Sequence, residues 1–199
     1  MAKVLDPRLL LMPLPVWIVG SYSAANRPNI LAVSWAGVCC SEPPCVCIGV
    51  RPETFSFQGI IDHKAFTVGV PSTGQVREAD YCGIVSGADV DKFERCGFSA
   101  IPCEAVHAPY VKELPISVAC RVAQNHAVGS HTLIVGEILD TRVAKDCRDA
   151  AGVPLTNEAD PILLAPATLE YFAVGRLVGH TYQEGRALHE ATRHEPDLG

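Results

Sequence analysis

Charge and aromatic side chains are both scarce in this 199-residue chain, at 19% and 7% of positions, and basic residues are outnumbered 16 to 22 by acidic ones. The resulting net charge of -6 argues against a general nucleic-acid or anionic-membrane surface. Long apolar runs are also missing. Leu9, Leu10, Leu11 and Met12 are interrupted by Pro13 and Pro15, with no small-residue cleavage site after them. Neither a transmembrane span nor a signal peptide is predicted, which points to the cytoplasm. There is no G-x-G-x-x-G, P-loop, H-E-x-x-H or G-x-S-x-G motif, so a Rossmann nicotinamide domain, a zinc protease and a serine hydrolase are not indicated. No repeat, low-complexity tract or linker divides the chain, and one domain over residues 1–199 is expected.

What the chain does have is apolar content of 48%, enough for one substantial core, and nine cysteines. An odd count without a signal argues against a disulfide framework. Cys39, Cys40, Cys45 and Cys47 form C-C-x4-C-x-C, a spacing that matches no standard zinc or cluster motif. They read as small core thiols, and no metal is expected.

The most informative stretch runs from Asn29 to Ser72. Ile30 to Cys40 and Cys45 to Val50 are rich in Val, Ile and Cys and bounded by Asn, Pro and Gly, so each reads as a strand. Arg51-Pro52-Glu53-Thr54 stops the second, and a short helix follows with Phe55, Phe57, Ile60 and Ile61 on its apolar side. His63 and Lys64 end it, and Ala65 to Val70 is the next strand.

Around this stretch, Pro15 to Ser23 reads as the first strand and Asn26-Arg27-Pro28 as a turn. Ser72 or Thr73 caps a predicted helix over Gln75 to Tyr81, and Asp89 caps another over Val90 to Cys96 that ends at Gly97. Phe98 to Val106 is short and apolar. Ile116 to Gln124 and His131 to Val143 read as strands, with a turn or loop over Asn125 to Gly129. Asp146 to Asp160 reads as a loop, Glu184 to Thr192 as a helical end, and the terminus at Gly199 as frayed. Many short strands with helices between them suit a β-barrel core with inserted helices, of the α+β kind.

Small side chains at Ala32, Ser34, Ala36 and Gly37 let a flat ligand approach the backbone. Arg51, Thr54 and Ser56 put a guanidinium and two hydroxyls at a helix start, a combination that suits a phosphate. The bland alternative is a solvated arginine and an ordinary capping threonine. Together the two segments suggest a phosphorylated planar cofactor.

N-x-L-A-x-S-W at Asn29–Trp35, then S-x-P-P, R-P-x-x-F-S and F-T-V-x-x-P-S, resembles the flavin reductase-like, FMN-binding split-barrel family, its flavoredoxin branch above all. Asp80-Tyr81-Cys82-Gly83 with Ser86-Gly87, Asp91-Lys92-Phe93 and Gly129-Ser130-His131-Thr132 follow in the same order, so the resemblance spans roughly residues 12–185. It implies a Greek-key split barrel, an FMN cofactor, NADH or NADPH as a transient electron donor, and a homodimer, with Leu9 to Met12 and Tyr171-Phe172 as candidate contacts.

The resemblance also implies roles for individual residues. Ala32, Val33, Ser34, Trp35 and Ala36 would meet the flavin mainly through their backbone, with core packing as the alternative for Trp35. Cys40 and Ser41 would lie on a second loop near the cofactor. Arg51, Thr54 and Ser56 become phosphate ligands, and Lys92 an anion contact whose alternative is a solvated helix lysine. His131 would stand near the nicotinamide or the exposed flavin face as the catalytic candidate. Relatives commonly have Gly-Asp-His there and this chain has Ser130, so a structural strand histidine stays equally open.

Two functions follow from the resemblance. One is an FMN-dependent reductase passing electrons from NAD(P)H to free flavin, ferric iron or a protein acceptor. The other is a non-enzymatic FMN electron carrier serving a redox partner protein.

Overall fold

Two residues decide the shape of the main sheet. In the computed structural model, which describes residues 9–186 and 188, the expected strand over Ile30 to Cys40 breaks at Ser34–Trp35. It becomes β3 (Pro28–Val33) and β4 (Ala36–Ser41). With β2 (Trp17–Tyr22), β5 (Pro44–Val50), β6 (Ala65–Val70), β9 (Ile116–Val128) and β10 (His131–Val143), they form a sheet of order β3-β2-β6-β9-β10-β5-β4. All of its pairs are antiparallel.

β3 and β4 are thus consecutive in sequence yet lie at opposite edges. A flat seven-stranded sheet would hold those edges roughly 29 Å apart at about 4.8 Å per strand. Three Cα steps from Val33 to Ala36 reach only about 11 Å. The sheet therefore has to curl into a barrel, and the seam falls at Ser34–Trp35. The Gly49 amide donates to the Trp35 carbonyl at 2.6 Å and so carries the β4–β5 ladder up to the seam. A split β-barrel with inserted helices is the fold.

Period-two alternation fills both sides of the wall. Val19, Val46, Ile48, Val50, Phe66, Val68, Cys120 and Ile134 pack inside the barrel, joined by Ile60 of α1 (Phe55–His63). Ile18 and Ile30 point outward into a second cluster with Ala79 and Cys82 of α2 (Val76–Ile84) and Phe93 of α3 (Lys92–Cys96). α1 ends where Lys64 takes a left-handed conformation (φ 51°).

β1 (Leu14–Pro15), β11 (Ile162–Ala165) and β12 (Glu170–Ala173) make a small three-stranded sheet, order β1-β11-β12. β7 (Ala100–Pro102) and β8 (Pro109–Val111) pair separately, within and just beyond the short apolar stretch read over Phe98 to Val106. The expected loop over Asp146 to Asp160 contains α4 (Thr156–Ala159).

Two boundaries differ from expectation for local reasons. β9 continues through Asn125 to Val128, where a turn was expected, because its backbone keeps pairing with His131 to Ile134 while its side chains face solvent. The chain turns only at Gly129–Ser130, with Gly129 at φ 57°. α3 is capped by Asp91, whose Oδ1 accepts from the Glu94 amide at 3.1 Å, because the Asp89 and Val90 amides are bonded to the Ser86 carbonyl. The expected end at Gly97 (φ 66°) is as read. Of the helix expected over Glu184 to Thr192, residues 187 and 189–192 lie outside the described residues, as do the frayed end at Gly199 and residues 1–8 of the leader. Among the described residues no helix is long and apolar enough to cross a membrane.

Candidate functional site

The seam leaves a cleft of about 320 Å³ at the ends of β3 and β5. Ala32, Val33, Ser34 and Trp35 line it from one side, Arg51 and Thr54 from the turn after β5, and His131 from the start of β10. Seven sequence-predicted residues from three chain segments therefore meet at one opening. Trp35 and His131 stack with ring centroids 6.4 Å apart and planes at 27°. Both rings also line an adjoining groove of about 420 Å³ that holds Ala36. His131 Nδ1 is 2.9 Å from Ser130 Oγ, so the serine takes up one ring nitrogen and leaves the other to the cleft.

A second recess of about 200 Å³ opens beside the start of α1, lined by Glu53, Thr54, Ser56, Gly83, Gly87 and Lys92 among others. Its donors are unusually available. Thr54 stands at the N-cap position, but its hydroxyl donates to the Arg51 carbonyl at 2.9 Å and does not cap the helix. The first-turn amides of α1 keep the partial positive charge of a helix start. Ser56 is buried, and its Oγ accepts from Asn29 Nδ2 at 2.7 Å. That bond uses a lone pair and leaves the hydroxyl proton to donate.

Lys92 is not the solvated helix lysine that was one of its two sequence readings. It is 3% exposed, and its Nζ donates to the Cys82 carbonyl at 2.8 Å, without a carboxylate partner among the described residues. Burial pulls its pKa below the ordinary lysine value, partly offset by the neighbouring Cys82 and Cys96. An ammonium buried this way favours an anion beside it. Arg51 differs, with its side chain 57% exposed and 3.7 Å from Glu53, a contact too solvated to hold it.

Cys40 and Ser41 are not brought to the cleft within this chain. They lie at the far end of β4, opposite Cys45 and Pro44. Cys39 and Cys40 are also exposed, whereas the sequence reading had them as core thiols. β4 is an edge strand, exposed from Val38 through Ser41, so nothing covers either thiol. Sequence reasoning missed Gly49, Gly83 and Tyr171 in the cleft wall. Gly49 carried a signal in its lack of a side chain, since an added Cβ would lie 3.1 Å from that of Trp35. Tyr171 comes from β12, far along the chain, and carried none. Its hydroxyl donates to Asp80 at 2.9 Å, and burial and that carboxylate push its pKa up to about 12.

The arrangement is an open slot walled by backbone and a Trp–His stack, with a cationic, amide-rich recess at one end. The model of the flavin reductase like domain matches residues 9–166. The chain belongs to that family. Among solved structures, this flavin reductase-like chain is similar to a flavoredoxin of Desulfovibrio vulgaris (Miyazaki F), at 40% identity and TM-score 0.89, covering 93% of this chain and 100% of that one. A flavoredoxin from Methanosarcina acetivorans is similar at 28% identity and TM-score 0.88, covering 94% and 100%. An uncharacterized protein of Archaeoglobus fulgidus is 27% identical over 138 residues, 69% of this chain and 77% of its own length.

Proposed function

We propose that this chain binds FMN at the barrel seam and acts as a reductase, passing electrons from NADH or NADPH to free flavin, ferric iron or a protein acceptor. The observation that carries the reading is the pairing of a flat, backbone-walled slot with a buried, carboxylate-free Lys92 at an uncapped helix start. These donors fit a phosphate ester. Lys92 supplies charge, the first-turn amides and Ser56 supply hydrogen bonds, and Arg51 is free to swing onto the same group in two-pronged fashion.

Bound FMN would supply the acceptance and release of electrons, and the protein supplies position and electrostatics. Ala32 to Trp35 present backbone donors and acceptors to the polar rim of the ring system, and Ser34 adds a hydroxyl. Trp35 and His131 wall the slot against water. His131, its orientation fixed by Ser130, can hold a proton at the ring nitrogen facing the slot. Cys40 and Ser41, remote from the cleft of their own chain, would act only across a subunit contact. Such a contact belongs to this reading as a homodimer, with the exposed Leu9, Leu11, Met12 and Phe172 as its apolar surface.

A second reading is an FMN electron carrier that meets a redox partner protein and needs no nicotinamide. The 40% identity to a flavoredoxin over nearly the whole chain favours it. Stopped-flow absorbance separates the two. Fast bleaching of bound flavin by NADH or NADPH is the result expected of the reductase. Bleaching only by dithionite or a reduced protein would replace it with the carrier.

A further inference from the structure

A pair of thiols outside the seam has the geometry of a redox couple. Cys82, in the last turn of α2, is fully buried, and Cys96 at the end of α3 is half-buried. Their sulfur atoms are 3.7 Å apart, across 14 positions of sequence. A disulfide needs about 2.05 Å, so closure requires a movement of less than about 2 Å between two short helices.

The pair has its own door. Cys96 lines a cleft of about 570 Å³ together with Arg77, Tyr81 and Arg95. Among the described residues neither arginine has an ion-pair partner. The same wall also holds two carboxylates: Asp80, which accepts from the Tyr171 hydroxyl, and Glu78, whose backbone carbonyl lies 3.9 Å from the Cys96 thiol.

We propose that Cys82 and Cys96 form a thiol–disulfide exchange site, and that its substrate is a small disulfide carrying carboxylates, docked by Arg77 and Arg95. The Cys96 thiolate attacks one sulfur of the incoming disulfide, forming a mixed disulfide and expelling one thiolate. Cys82 then gives up its proton and attacks the Cys96 sulfur, closing the internal disulfide and releasing the second thiol. Two protein thiols are oxidised, one external disulfide is reduced to two thiols, and no other oxidant is needed. The roles are asymmetric. Cys96 is the thiol that reaches the cleft, whereas Cys82 is fully buried. Burial raises both, and for Cys96 this is partly offset by the hydrogen bond from Cys82 and by Lys92 while the Glu78 charge adds to it, so Cys96 is the attacking thiol. The site needs neither a flavin nor a nicotinamide, so its test is independent of the seam.

The test exposes the reduced full-length protein to oxidised glutathione or to cystamine, a cationic disulfide, then blocks free thiols and maps disulfide-linked peptides by mass. Glutathione should yield a Cys82–Cys96 linked peptide, and faster than cystamine, because the two arginines can pair with its carboxylates. Arg77→Gln with Arg95→Gln should remove most of that preference, and Cys82→Ser or Cys82→Ala should stop at a mixed disulfide on Cys96. Because mapping the unaltered protein needs no variant, the result stands even if a substituted chain misfolds. Modification confined to the exposed Cys39 and Cys40, or equal rates with the two disulfides, would overturn the proposal.

Discussion

Arg51 and Lys92 carry the charge of the proposed phosphate site in opposite ways. Arg51 is solvated and loses little in stability when removed, so Arg51→Ala isolates its role in binding. A charge-assisted hydrogen bond contributes about 1.5–3 kcal/mol, equivalent to about 10- to 100-fold in FMN affinity. Riboflavin, which has no phosphate, should bind the variant as it binds the parent. Equal losses for the two ligands in a fluorescence titration would assign Arg51 to the fold.

Lys92 predicts a pH dependence. Its pKa in the free protein lies below the ordinary 10.5 because burial disfavours the charged form. Phosphate binding requires that charge and raises the pKa again. FMN affinity should therefore be greatest at pH values below the free-protein pKa of Lys92 and fall as pH rises through it, before 10.5 is reached. Riboflavin affinity should stay level over the same range, and Lys92→Met should abolish the alkaline fall. A fall of the same size for both ligands, or one that survives Lys92→Met, would remove Lys92 from the site.

α1 is held to the barrel by an absence of side chain. A Cβ added to Gly59 would lie 2.0 Å from the Tyr22 carbonyl oxygen, a backbone atom that cannot step aside. Alanine favours a helix over glycine by about 1 kcal/mol, whereas overpacking costs about 1–3 kcal/mol or more. Gly59→Ala should therefore destabilise the protein in urea unfolding, and it should weaken FMN binding because α1 carries Ser56. A more stable variant would mean that the helix moves freely over β2.

α1 was legible from Thr54 and the Phe55–Ile61 pattern, since both its cap residue and its apolar side are local signals. The break at Ser34–Trp35 was not. Apolar residues run through it without interruption, and only the sheet order reveals that β3 and β4 are opposite edges. The family segments did identify seven residues that the seam brings together, because those segments sit at strand ends. The position of Lys92 was the harder matter. A lysine in the first turn of a short helix reads as solvated, and only the packing of α3 against α2 turns its ammonium inward. Cys40 shows the reverse error, because a strand's place at an uncovered sheet edge is invisible to its own residue pattern.

At the scale of the molecule, the barrel closes on itself yet leaves much apolar surface uncovered. Leu9, Leu11, Met12, Val38, Val128 and Phe172 are each more than half exposed. In the proposed homodimer a second copy would cover part of this surface, and sedimentation at micromolar concentration should find a dimer; monomer alone would contradict the homodimer. The seam itself is the central claim, and adding FMN and riboflavin in parallel to the apo-protein tests it most directly. FMN fluorescence should be quenched to a one-to-one endpoint, with riboflavin bound at least about tenfold more weakly for want of the phosphate contacts. No quenching by the protein, or equal affinity for both, would contradict the account.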